Sequence, residues 1–145
     1  MKEIPILFSA LMVRAILEGR KTQTRRILKF KELKHYNKYH RCDTLWVRET
    51  FGKYSGRWVY RAIDNVYDIK WKPSIFMPRA ASRISLKITD VKTEQLQEIT
   101  EADARAEGFK SIADFKNLWD KLNEKRGYGW EKNPFVYAIT FERIK

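Results

Sequence analysis

Apolar and polar positions alternate along the chain in a way that predicts most of its elements. Residues 4–8, IPILF, form an unbroken apolar run of strand length. The apolar run 10–17, ALMVRAIL, is interrupted only by Arg14; it follows Ser9, and Glu18 separates it from Gly19. This predicts a helix capped by Ser9, running to Glu18 and stopped by Gly19 in the left-handed region. Only Arg14 and Glu18, four apart, mark a wet face, so the helix is expected to lie against a sheet and beneath other elements. The next segment, TQTRRIL, alternates like a strand and would point Thr22, Thr24 and Arg26 to one face.

Farther along, TLWVRETF and RWVYRA are β-prone and alternating, which predicts a hairpin with GKYSG as its turn. Residues 63–81 carry two prolines and no period, as expected of an extended surface segment. In SRISLKITDVK, Ile84, Leu86 and Ile88 alternate with Arg83, Ser85 and Lys87, so one strand face is buried while Ser85 and Lys87 look to water or a groove. Thr100 with Asp103 has the form of a capping box for a short helix ending at Gly108. Ser111 with Asp114 repeats it for a helix to about Lys125, whose stripe Ile112, Phe115, Leu118, Trp119 and Leu122 reads as core. GYGW is a turn, and PFVYAITFERI closes the chain as a strand. Strands at both ends with helices between suit an α+β mixed barrel better than a doubly wound sheet.

Composition adds charge to this picture. The 145 residues fit a single domain, 1–145, and 43% hydrophobic with 14% aromatic residues argue for a folded globule. The formal net charge of +12 is unevenly placed. Residues 1–62 hold 15 Lys and Arg against 5 acids, whereas residues 63–145 hold 15 against 13. Between Arg20 and Arg41 nine cations face the single acid Glu32, a field that attracts polyanions and points to a nucleic acid or nucleotide partner. No run reaches membrane-span length, and the N-terminus shows no cleavage signal, so no membrane or export role is expected. Cys42 is the one cysteine, which fits a cytoplasmic protein. His35 and His40 lie in a polar run without metal-site spacing; neither a metal nor another cofactor is expected.

The stretch GRKTQTRR, residues 19–26, holds four cations and two threonines. Lys21, just past a helix C-terminus, is electrostatically welcome there as a dipole partner, so its charge alone does not require chemistry. Glu107 is the reverse case. A carboxylate in the last turn of a short helix is disfavoured by about 0.3–1 kcal/mol when exposed, unless a cation offsets it.

Four segments in order, ILEGRKTQTRR, DTLWVRE, ITEADARAEGF and FVYAITFERI, resemble those of an ASCH domain, a branch of the PUA-like superfamily. WKPSIFMPRAASRISL resembles a segment of the longer bacterial and phage members. The resemblance implies a small PUA-like mixed β-barrel with flanking helices and a cleft beside the first helix, used by relatives for RNA or modified nucleosides. It also implies site residues. Small bacterial ASCH enzymes that hydrolyse N4-acetylcytidine use a lysine and a threonine in a K-T-x-T-x-R stretch, matched here by Lys21 and Thr24. Their glutamate, late in a short helix that begins Thr-Glu, is matched by Glu107. Thr22, Arg25, Arg26, Arg48, Arg79 and Arg83 complete the candidate binding set. Cys42 departs from the pattern, standing where a turn glycine usually precedes Asp43.

The chemistry is arguable without the family. Amide hydrolysis needs a nucleophile, a base for its proton and an acid for the departing amine. Thr24 offers the hydroxyl. Lys21 is a base if burial or Arg25 and Arg26 lower its pKa, and Glu107 is an acid if burial and the helix end raise its own; a direct ion pair between them would oppose both shifts. Two other readings stand beside this amidohydrolase. One is a noncatalytic RNA-binding module in which Lys21, Arg25, Arg26 and Arg79 hold phosphates; the other is a ribonuclease, weakened by the lack of a general acid–base histidine pair. Trp46, Trp58, Tyr60, Trp71 and Phe76 are candidate stacking surfaces for a base, with core packing the commoner role.

Overall fold

The computed structural model describes residues 1–29 and 38–145; His35, Lys31, Glu32 and Lys34 lie outside the described residues. Its main sheet contains five strands: β1 (Glu3–Leu7), β2 (Gln23–Ile27), β3 (Thr44–Arg48), β6 (Ser85–Gln95) and β7 (Phe135–Arg143). The smaller sheet pairs β4 (Phe51–Tyr54) with β5 (Arg57–Tyr60). Among the described residues three α-helices accompany them: α1 (Ala10–Leu17), α2 (Glu101–Ala106) and α3 (Ile112–Asn123).

Strand order in the main sheet is β1-β3-β6-β7-β2, with β1 and β3 parallel and every other pair antiparallel. The long strand β6 serves two neighbours. Ser85 to Lys87 pair with β3, and a register shift between Ile88 and Asp90 lets the rest continue along β7. Such a bulge bends a strand and tightens its twist. The sheet therefore curls until its two edges, β1 and β2, approach each other, and the Arg26 Nη2 donates to the Leu7 carbonyl across that seam at 2.9 Å. The expected mixed α+β architecture is present as a curled sheet open along one seam.

Helix α1 closes the curl from one side. Ser9 Oγ accepts from the Met12 N–H, and Gly19 has φ +80°, so both ends form as the sequence predicts. Met12, Val13, Ala15 and Ile16 are buried, and the first, second and fourth join Ile6, Phe8, Leu45, Val47, Leu86, Ile88, Tyr137, Ile139 and Phe141 in the principal core. A second cluster under α2 and α3 contains Leu96, Ile99, Ala104, Phe115, Trp119 and Val136.

Several local expectations are corrected. The hairpin is β4–β5, and TLWVR is not part of it but is β3 of the main sheet. Its turn is Ser55-Gly56, with φ of 51° and 77°, a two-residue loop whose left-handed pair matches strand twist; Lys53 and Tyr54, expected in the turn, pair instead. Residues 63–81 contain two short 3-10 turns, Ser74–Phe76 and Arg79–Ala81, and Met77 and Ala81 are buried against Phe51. Ser85 is buried, because the chain end runs past it: its N–H donates to Lys145 and its carbonyl accepts from Ile144. Leu122 is exposed, while Asn123 is buried in its stead and donates to the Trp119 carbonyl.

Cys42 has φ 76°. It sits in the left-handed turn, where a β-carbon is unfavourable by roughly 1–2 kcal/mol. Replacement Cys42→Gly removes that strain and adds unfolded-state entropy that offsets part of the gain. Thermal unfolding of Cys42→Gly is expected to shift upward by up to about 3 °C, and a fall in melting temperature would contradict it.

Candidate active site

The site begins at the end of α1. Gly19 turns the chain so that the Arg20 and Lys21 N–H groups both donate to the Ala15 carbonyl. Thr22 is then held from two sides, donating to the Ala106 carbonyl at 2.7 Å and accepting from the Phe141 N–H. This clamps the corner to both α2 and β7. Gly108, with φ +99°, lets α2 dock: a β-carbon there would meet Ala15 Cβ at 3.4 Å and Lys21 Cβ at 3.6 Å.

Lys21 is 3% exposed. Its Nζ donates to the Glu107 carbonyl at 2.9 Å and to Glu107 Oε1 at 3.2 Å. Glu107 is the C-cap of α2, whose start is fixed by the Thr100–Asp103 capping box. The carboxylate that looks misplaced at a helix C-terminus is thus accompanied by an ammonium lying against the same helix end. Glu107 Oε2 accepts from Arg25 Nη1 at 3.0 Å, so both carboxylate oxygens are engaged by cations. The fully buried Arg25 guanidinium also reaches Gln23 Oε1 at 3.0 Å, Glu94 Oε1 at 3.1 Å and Asp103 Oδ2 at 3.4 Å.

Burial holds the Lys21 pKa below the ordinary lysine value, with Arg26 and Arg25 adding to the effect; the Glu107 ion pair opposes it without cancelling it. Asp103 shows the other balance. Partial burial pushes its carboxyl up, but the Thr100 backbone and hydroxyl, Arg25 and Gln23 together hold it below the usual range.

Lys21, Thr24, Arg25, Arg26, Arg48 and Glu107 all line one cleft of about 850 Å³ at the seam between β1 and β2. Thr24 is buried on β2 opposite Ile139, two residues before Arg26 on the same strand face. Arg26 packs over the Phe8 ring at 4.9 Å, and Arg48 over Trp46 at 4.8 Å. Thr22, Arg79 and Arg83 do not line the cleft. Arg83 binds Glu49 through two hydrogen bonds of 2.9 and 3.0 Å and lies over Tyr60, while Arg79 pairs with Glu3 and covers Trp46. Of the five aromatics considered for stacking, none lines the cleft; its aromatic walls are Phe8, Tyr39, Phe109, Phe115, Trp119 and Tyr137. Ser74 and Ile75 bring the 63–81 segment to its rim.

Searches of the sequence against family models and curated proteins return no match. Solved structures do match. An ASCH domain from Lactobacillus crispatus JV V101 superposes with TM-score 0.61 at 16% identity, over 98% of this chain and 79% of that one. The fold is that of an ASCH domain. Protein EF3133 of Enterococcus faecalis V583, from the DUF984 family, aligns with TM-score 0.60 at 10% identity, over 99% of this chain and 81% of its own. The hypothetical protein PH0355 aligns with TM-score 0.57 at 17% identity, over 99% and 100%.

Within this ASCH fold the sequence anticipates Lys21, Thr24 and Glu107 as residues of one place, while it does not reveal the partners of Arg25. Asp103 shows as a helix cap and nothing more, and Glu94 sits unmarked in a strand. Phe8 is one apolar residue in an apolar run. Among the described residues no group of three or more His, Cys, Asp or Glu could hold a metal, and no helix is long and apolar enough to cross a membrane.

Proposed function

We propose that the protein hydrolyses an N4-acylated cytidine or a related modified nucleoside. One observation carries this reading: a buried lysine with a depressed pKa, a buried threonine and a lysine-bound glutamate line the same cleft, whose volume suits a small molecule. In the proposed reaction, neutral Lys21 takes the Thr24 hydroxyl proton as Thr24 Oγ attacks the acyl carbon. Collapse of the tetrahedral adduct breaks the bond to N4, and the Lys21 ammonium returns its proton to the departing amine. Water then releases the acyl group from Thr24, with Lys21 again as base. Both Glu107 oxygens are engaged by cations, which favours a role in holding Lys21 and stabilising its ammonium rather than in starting as a protonated acid.

Purified protein incubated with N4-acetylcytidine is expected to release cytidine, read by chromatography, and Thr24→Ala and Glu107→Ala are expected to stop it. Wild-type inactivity across a panel of N4-acylated cytidines would overturn the proposal. A second reading, RNA binding without catalysis, is favoured by the cations Arg26, Lys29, Lys38, Arg48 and Arg126 along the cleft. Binding of single-stranded RNA by an inactive protein, weakening steeply with salt, would support that reading instead.

A further inference from the structure

We infer that the cleft takes its nucleoside with a phosphate attached, and that Arg26 and Arg48 are the groups that receive that phosphate. This rests on the reading of the cleft as a nucleoside site. Of the other arginines that line the cleft, Arg25 meets three carboxylates and Arg126 donates to Asn123, and outside it Arg20 pairs with Glu18, Arg79 with Glu3 and Arg83 with Glu49. Arg26 and Arg48 differ. Among the described residues neither has a carboxylate partner; the Nε of each is buried without a hydrogen bond, as is that of Arg25, whose terminal nitrogens are already taken by carboxylates. Buried cationic donors left unmet are costly, and such groups are uncommon in folded proteins unless a ligand completes them.

The two guanidiniums flank one point of the fold. Arg26 reaches over from β2 to donate to the Leu7 carbonyl, and Arg48 is the register partner of Leu7 on β3. Each is laid on an aromatic face, Phe8 and Trp46, which fixes its plane and leaves its edge to donate. Glu107 is the acid whose charge Arg26 feels, but its oxygens are already held by Lys21 and Arg25. The hydroxyl-bearing residues Ser9, Thr50 and Ser74 line the same cleft. Two guanidiniums without a carboxylate partner, in a cleft that also holds hydroxyls, suit a tetrahedral oxyanion, and arginine meets phosphate with paired donors. With Lys21 and Thr24 on the same cleft, a phosphate here is one carried by the substrate itself.

Calorimetric titration of the wild-type protein with cytidine, cytidine 5′-monophosphate, cytidine 3′-monophosphate and a cytidine trinucleotide tests this. At least one phosphorylated ligand is expected to bind 10-fold or more tighter than cytidine, with an advantage that shrinks as salt rises. The arm that wins tells a terminal phosphate from an internucleotide one. Arg48→Gln, whose side chain breaks no hydrogen bond, and Arg26→Gln are each expected to reduce that advantage several-fold, with thermal unfolding confirming that both variants fold. Equal affinity for cytidine and all its phosphates, no detectable binding of any of them, or an advantage unchanged in both folded variants would overturn the inference. The test separates the two ideas: hydrolysis of N4-acetylcytidine without a phosphate advantage sinks only the inference, and a phosphate advantage without hydrolysis sinks only the proposed reaction.

Discussion

Lys21→Met is expected to lower the rate of cytidine release from N4-acetylcytidine by about 10²–10⁴-fold, the usual contribution of a positioned general base, in a protein that still folds, because relief of the ammonium's burial penalty offsets part of what the loss of its two bonds to Glu107 costs. The reasoning joins burial to protonation. In the unfolded chain Lys21 is protonated at no special cost, with a pKa near 10.4. In the folded chain burial disfavours the ammonium more than Glu107 favours it, so the folded pKa lies lower. Between the two values the folded state binds fewer protons, so stability rises with pH across that window and is reduced below it. Methionine keeps an unbranched stem against Gly108 and removes the charge that carries the penalty. A variant that thermal unfolding shows to be folded at the assay temperature and that cannot turn over substrate separates chemistry from architecture. The same pKa shift predicts that wild-type kcat/KM climbs with pH and levels off below the range of an ordinary lysine; retained activity in Lys21→Met would remove lysine from the mechanism.

Arg25→Leu should have the opposite profile, a large loss of stability measured by urea unfolding, on the order of 3–5 kcal/mol. The guanidinium is completely buried and meets Glu94, Asp103 and Glu107 at 3.0–3.4 Å, so its removal leaves three carboxylates facing one another. Two of them belong to α2, Asp103 in its first turn and Glu107 as its C-cap. In the wild type the depressed Asp103 carboxyl contributes stability that is present above its unfolded pKa of about 3.9 and lost as pH falls through its lower folded value. The variant lacks part of that contribution, so its deficit is expected to be largest near neutrality and to narrow towards pH 4 and below, as protonation relieves the repulsion. Arg25→Lys should recover only part of the loss, since an ammonium cannot span the same set of acceptors. A deficit that stays constant with pH would mean that packing, not charge, explains it.

Which parts of this were readable from the sequence follows from the range of the interactions concerned. The caps of α1, α2 and α3 are local, and Ser9, Thr100 and Ser111 each accept the backbone N–H that their spacing promised. The convergence of Lys21, Thr24 and Glu107 was legible only through resemblance, because nothing local says that a helix end eighty-six residues away will lie on Lys21. The hairpin was misplaced since a five-residue turn and a two-residue turn use the same Gly-rich stretch, and strand pairing decides between them. Arg79 and Arg83 enter the candidate binding set for want of any local sign that Glu3 and Glu49 face them.

Helix α2 is six residues long, too short to persist by its own hydrogen bonds. It stays in place partly through the Thr22–Ala106 backbone bond, the close fit at Gly108 and the cations that grip Glu107. When this segment comes loose, Lys21 meets water and regains the proton affinity of a free lysine. Fraying of α2 is therefore coupled to proton uptake, and the amides of residues 104–108 should exchange with solvent through an opening that acid promotes and alkali suppresses.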